Sequence, residues 1–384
     1  MNLPQPSDEA RVHSARLIEH IHAEIDRSGG RIAFARYMEL ALYAPGLGYY
    51  MAGARKLGAD GDFVTAPEIS PLYGKTLARQ VAQVLDASHP EVLEVGAGSG
   101  ALAAELLAEL EATGALPERY LILELSPDLR SRSRDTLAAR VPHLLERVAW
   151  LNQLPPSFRG CIIGNEVLDA MPAHRIARSH GTSLEVFVRR GDGERPFSER
   201  DDAGNGELQA AMEQLQLPGD DYRTEVQLVA CAFVRSLASM LEKGAALFVD
   251  YGFPRREYYH PQRNRGTLMC HYRHHAHADP YHLPGLQDIT SHIDFSAVAE
   301  AAASGGLDVL GYASQAHFLT NCGLTDLLAR TPADDARAYL PLAAQVDKLT
   351  SPAEMGELFK VIALGRGVPQ PLLGFTRGDR RAAL

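Results

Sequence analysis

The chain has 384 residues, 46% hydrophobic and 22% charged, proportions of a folded globular protein that exclude fibrous and intrinsically disordered classes. A formal net charge of −10 repels a polyphosphate backbone, which sets nucleic acid aside as a partner, and no run approaches the roughly 20 apolar residues of a membrane span. The four cysteines stand singly with no C-x-x-C pair, against both a disulfide framework and a zinc ribbon.

The polar, acidic start MNLPQPSDEA carries no basic, apolar or arginine-rich leader pattern, so a cytoplasmic location is expected. Apolar positions at helical spacing (Val12, Ala15, Ile18, Ile21, Ile25, then Ile32, Phe34, Met38, Leu42) predict two helices broken at Ser28, Gly29 and Gly30. From Tyr43 to Tyr73 the chain turns to Gly, Pro and aromatic residues, which reads as a functional loop, and a helix resumes after Pro71. Short apolar runs at 91–95, 120–125, 148–151, 160–164 and 245–250, with helical stretches such as 102–110 and 129–139 between them, have the form of a parallel sheet. A hairpin pattern, RIARSHGTSLEVFVRRGDGE, and a polar stretch to about 220 interrupt the fourth and fifth strands. A basic, His-rich loop runs to about 290, a helix follows at 296–303, and strands at 307–312 and 358–364 close the sheet.

The expected organisation is therefore an N-terminal helical region and lid loop over 1–75, then an α/β core over 76–365 with insertions at about 173–225 and 253–295. A tail over 366–384 follows, read as loosely held. The fold class is a Rossmann-like, seven-stranded, mostly parallel sheet with a helical N-terminal region and capping insertions.

EVLEVGAGSGAL is the strongest signal: a strand, a turn through Gly96, Ala97, Gly98 and Gly100, then an Ala- and Leu-rich helix. Glycines let the backbone turn sharply against a ligand, and a helix start offers unpaired N–H groups. The pattern also satisfies the relaxed dinucleotide fingerprint, so its surroundings must discriminate. Glu94, two residues before Gly96, suits the ammonium of a methionine moiety and would repel a pyrophosphate. Glu124 ends the second strand beside Leu125 and Ser126, where an acid accepts hydrogen bonds from a ribose. The fourth strand ends in GNEVLDAMP, which sets Asn165, Glu166 and Asp169 at the carboxyl edge of the sheet, and hydride transfer has no need of such a cluster. S-adenosylmethionine is the cofactor these residues favour.

With these residues in place the chain resembles the MidA-like methyltransferases, whose mitochondrial members act in assembly of respiratory complex I. The resemblance rests on PGLGYY at 45–50, GDFVTAPEIS at 61–70, EVGAGSG at 94–100, ELSP at 124–127, NEVLDAMP at 165–172, DYG at 250–252, RGTL at 265–268, QDITSHIDF at 287–295 and GELFKVI at 356–362. It implies a class I methyltransferase sheet with S-adenosylmethionine as donor. For the mitochondrial relatives it implies symmetric dimethylation of an arginine in a complex I subunit, hence a protein substrate. It also implies that Asp62, Thr65, Pro67 and Glu68 are lid contacts on the donor.

A guanidinium is protonated at neutral pH, and methyl transfer needs a nitrogen lone pair in line with the methyl group. Carboxylates near the donor would orient the guanidinium and accept its proton, and Glu166 and Asp169 are the catalytic candidates. Asn165 is expected to touch the donor, and Asp250 to add to the anionic lining. His271, His274, His275, His277 and His282 lack metal-ligand spacing and read as a polar loop, with no metal. Two alternatives stay open at this point: an NAD(P)-dependent oxidoreductase, and a non-catalytic assembly factor that retains the donor pocket.

Overall fold

The computed structural model describes residues 3–53, 64–193, 195–204 and 206–384. Contacts divide them into a larger unit, Val64–Leu168, Phe233–Gly252 and Phe295–Leu384, and a smaller one, from Met1–Phe63, Asp169–Ala232 and Phe253–Asp294.

Seven strands form the sheet of the larger unit: β1 (Glu91–Val95), β2 (Arg119–Leu123), β3 (Val148–Leu151), β4 (Phe158–Asn165), β5 (Leu241–Phe253), β6 (Asp308–Ser314) and β7 (Phe359–Arg366). Their order is β6-β7-β5-β4-β1-β2-β3. The pairs from β5 through β3 are parallel, and β7 runs antiparallel to both β5 and β6. The expected seven-stranded, mostly parallel sheet is thus present. In β1, β4 and β7 consecutive residues are buried, because helices cover both faces of a parallel sheet and the strands lose the in-out alternation of a half-exposed one.

The helix Pro71–Ala87 starts where Ser70 Oγ accepts the Leu72 N–H and a proline fills the first turn. The helix Ala101–Ala112 buries eight residues, among them Leu102, Leu106, Leu107 and Leu110, each of which removes about 1.5–3 kcal/mol of apolar surface from water. The C-terminal tail departs from the loose segment read in the sequence. Leu372 and Phe375 are buried, the Gly374 N–H donates to Gln80 Oε1 at 2.8 Å, and the Arg380 N–H donates to the Tyr312 carbonyl. Two apolar anchors are enough to hold a Gly- and Pro-containing stretch.

In the smaller unit the helix Asp8–Arg27, capped by Ser7, buries Leu17, Ile21 and Ile25, and the helix Phe34–Tyr43 follows a two-residue strand. The expected hairpin forms from His174–Ser179 and Thr182–Arg190, turning through His180 and Gly181, both with positive φ as a tight hairpin requires. Three features of this unit are absent from the sequence reading: the strand Phe197–Asp202 with the helix Gly206–Gln214, the strand Tyr222–Val226 beside the hairpin, and a small sheet of Met269–Tyr272, His275–His277 and Asp288–Thr290. After its buried Phe197 the first strand is polar, and its acids meet arginines, Glu199 with Arg175 and Asp201 with Arg223. Among the described residues no helix is long and apolar enough to cross a membrane.

Candidate functional site

β1 ends at Val95 and the chain enters the glycine turn. Gly96, Gly98 and Gly100 have φ of 68°, 54° and 80°, the left-handed region that a Cβ disfavours. Gly100 is constrained twice, since a Cβ there would stand 2.8 Å from the Ser133 Cα. A Cβ on Gly96 would reach the Val167 side chain at 3.0 Å, so this turn lies against the loop that follows β4. Ala97 is buried between the glycines. Ser99 donates from Oγ to Glu68 Oε1, which ties the short helix Ala66–Ile69 to the same turn. Thr65 caps that helix through its carbonyl, which accepts the Glu68 N–H at 2.9 Å, and Pro67 sits in its first turn. Asp62 lies outside the described residues.

Glu94 is 2% exposed, and Tyr120 donates its hydroxyl to Glu94 Oε2 at 2.8 Å. Burial pushes the Glu94 carboxyl up to about 7; the Tyr120 hydrogen bond opposes this, and the charge of Glu124 adds to it. A buried carboxyl that ionises near neutrality can accept a cation brought beside it. Glu124 receives the Gly98 N–H on Oε2 at 3.1 Å and the Ser126 N–H on Oε1 at 2.9 Å, which fixes the carboxylate at the lip of the turn. Ser126 uses its own Oγ to cap the helix Pro127–Arg140 by accepting the Leu129 N–H. Leu125 between them is 64% exposed, an apolar side chain open beside two polar anchors.

At the end of β4 the Asn165 Oδ1 accepts the Tyr73 hydroxyl at 2.5 Å, and its Nδ2 donates to Glu166 Oε1 at 3.1 Å. Glu166 has φ of 53°, a strained conformation for a residue with a Cβ. Its N–H donates to the Val249 carbonyl at 2.8 Å, and its Oε1 also accepts the Ala66 N–H at 3.4 Å. Asp250, expected as lining, is 1% exposed; its Oδ2 accepts the Val167 and Leu168 N–H groups and its Oδ1 that of Tyr251. Asp169 belongs to the smaller unit, where its carbonyl accepts the Ser291 N–H at 3.1 Å and the Ala170 carbonyl next to it accepts the Tyr43 hydroxyl at 3.0 Å.

His277 and His282 meet edge to face at 5.4 Å. His277 Nδ1 accepts the Asp279 N–H, which leaves the proton of the neutral ring on Nε2 and removes the lone pair a metal would need there. Among the described residues no group of three His, Cys, Asp or Glu side chains is placed to hold a metal. Sequence reasoning missed Tyr120, Ser99 and Tyr73. Tyr120 had a signal: in the β1–β2 register Glu94 lies opposite Ile122, and residue 120, two positions earlier on β2, presents its side chain on the same face. Tyr73, far upstream on a helix, had none.

A parallel sheet whose first strand delivers a glycine turn, with acids closing its first and second strands, defines a Rossmann-like nucleoside-binding protein. The chain belongs to the family described as "Putative S-adenosyl-L-methionine-dependent methyltransferase", which matches residues 76–313. It is 51% identical, with a TM-score of 0.96 over 100% of both chains, to a COG1565 superfamily member from Burkholderia thailandensis crystallised with S-adenosyl-homocysteine. It is 28% identical to the mitochondrial protein arginine methyltransferase NDUFAF7 of Danio rerio, over 91% of this chain and 86% of that protein. For the Homo sapiens protein of the same name the identity is 27%, over 91% and 83%. The protein is an S-adenosylmethionine-dependent methyltransferase, and the oxidoreductase alternative falls.

Proposed function

We propose that this enzyme methylates an arginine of a protein substrate and that Glu166 is its catalytic carboxylate, with Asp169 as a second acid. The names of the Danio rerio and Homo sapiens relatives support the acceptor. The observation that carries the reading is Glu166 itself, a carboxylate at the carboxyl end of β4, held in a left-handed conformation beside the glycine turn. Strain of that kind costs about 1–3 kcal/mol and persists where the surroundings over-determine it, as at active sites.

The residues present fit the cofactor: Glu94 offers a buried carboxyl to an ammonium, Glu124 a fixed carboxylate to ribose hydroxyls, and Leu125 an exposed apolar surface to a base. Gly96, Ala97, Gly98 and Gly100 line the approach, Thr65, Pro67 and Glu68 border it from the short helix, and Ser126 and Asn165 shape its edges. When bound, S-adenosylmethionine supplies an electrophilic methyl group. Glu166 orients the guanidinium by charge-assisted hydrogen bonds and takes the proton that the alkylated nitrogen releases, work worth about 10²–10⁴ in rate. Following the resemblance to the complex I assembly methyltransferases, a complex I subunit met in the cytoplasm is the first acceptor to try.

The test is transfer of labelled methyl groups to host lysate and to purified complex I subunits, with mass spectrometry of the modified residue. Methylarginine is expected, and Glu166→Gln lowers turnover at least about 100-fold while S-adenosylhomocysteine affinity stays within about threefold. Label on lysine, carboxyl or hydroxyl groups alone overturns the proposal, as does a Glu166→Gln protein as active as wild type.

A further inference from the structure

We propose that Tyr73 and Asp250 are positioning residues for methyl transfer, Asp250 anchoring the backbone of the Glu166 turn and Tyr73 fixing the Glu166 carboxylate through the Asn165 amide. The inference rests on the reading of Glu166 as the catalytic carboxylate.

The backbone comes first. A left-handed Glu166 reverts to an ordinary conformation unless the residues on either side are tied down. Upstream, β4 is locked between β1 and β5. Downstream, one oxygen of Asp250 takes two consecutive N–H groups, Leu168 at 2.9 Å and Val167 at 3.2 Å, while the other takes the Tyr251 N–H at 3.0 Å. A charged acceptor roughly doubles the strength of such bonds. Lys360 lies directly across from Asp250 in the β5–β7 register and is itself 3% exposed.

The side chain is fixed by a second device. Burial, followed by the charges of Glu166 and Asp250, holds the Tyr73 hydroxyl well above its usual range, so it remains a donor at every working pH. It donates to Asn165 Oδ1 at 2.5 Å, which obliges Nδ2 to face Glu166 Oε1 at 3.1 Å. The opposite amide orientation would turn Oδ1 against the carboxylate and lose that bond, while the hydroxyl would have to accept from Nδ2 instead of donating. The amide therefore passes a donor from a buried phenol to the carboxylate. Tyr73 thereby holds the donor that faces the Glu166 carboxylate in place.

The experiment uses the full chain and an acceptor protein that the wild type methylates, with S-adenosylhomocysteine binding by calorimetry and kcat measured against pH. Tyr73→Phe removes only the hydroxyl. It is expected to keep S-adenosylhomocysteine affinity and acceptor KM within about twofold, to lower kcat about tenfold, and to move the acid limb of the kcat profile to higher pH. Asn165→Asp, which sets a like charge against Glu166, moves that limb further in the same direction. In an Asn165→Ala background Tyr73→Phe has no further effect, because the relay is already cut. Asp250→Asn keeps the ligand-induced thermal shift and loses kcat. Wild-type kcat and pH profile in Tyr73→Phe, together with an inactive Glu166→Gln, overturns the inference even if Asp250→Asn fails to fold. Wild-type turnover in Glu166→Gln removes the reading of Glu166 itself, a separate failure.

Discussion

Replacing Glu94 by glutamine separates the stability of the empty protein from its function. The carboxyl moves from 4.5 to about 7 on folding, so ionising it in the folded state costs about 3 kcal/mol relative to the unfolded chain. Because the folded pKa is the higher, this stability is fully present below about pH 4.5, falls as pH rises, and is lost above about 7. Glutamine keeps an oxygen for the Tyr120 hydroxyl and never ionises. Between pH 4.5 and 8 the stability difference between the two proteins should therefore swing by about 3 kcal/mol in favour of glutamine, about 4 °C in melting temperature for a chain this long. Cofactor binding has the opposite sign. An ammonium selects the ionised carboxyl, so the wild-type Kd for S-adenosylhomocysteine should fall about tenfold from pH 6 to pH 8 and binding should release protons, whereas Glu94→Gln binds weakly without that trend. Thermal melts across pH with and without ligand, and calorimetry in buffers of different ionisation heat, provide the measurements. Parallel stability curves for the two proteins, or a wild-type Kd independent of pH, would refute the reasoning.

Gly100→Ala combines a left-handed backbone with a Cβ 2.8 Å from the Ser133 Cα, and urea unfolding should show a loss of about 2–4 kcal/mol. Phe375→Ala empties a buried site in the tail and should cost about 3–5 kcal/mol by the same measurement, whereas a loosely held tail would show no change. Burial raises the thiol pKa of Cys161, Cys270 and Cys322, so Ellman's reagent at pH 8 should leave these three unmodified in the native protein and label them in guanidinium chloride; mass spectrometry of the labelled peptides checks it.

The sheet was legible because its strands are written as short apolar runs, the inner ones buried on both faces: 91–95 and 148–151 match β1 and the edge strand β3 end for end, and the other five shift or extend by a few residues. The strand Phe197–Asp202 was not legible, because its acids are stabilised by arginines from other strands and leave no hydrophobic alternation to read. The small sheet containing Met269–Tyr272 was hidden by its histidines and by its shortness. At the site, residue types announced the carboxylates, since an acid at a strand end beside glycines is informative by itself. Tyr120 apart, their partners were silent. Tyr73 is 92 residues from Asn165 in the chain, and only packing brings its hydroxyl there. Asp250 looked like lining from its place at a strand end, yet its oxygens serve three backbone N–H groups, a use that no local pattern distinguishes from binding a ligand.

The interleaving of the two units has a consequence for biosynthesis. The smaller unit needs segments ending at Asp294, more than 200 residues after its first one leaves the ribosome. At about 5–20 residues per second, the apolar stripe of Leu17, Ile21 and Ile25 waits on the order of 15–55 s for its complete core. Nascent chains of this protein should therefore lean on holding chaperones, and a truncation placed anywhere before Asp294 releases a fragment that cannot finish that unit.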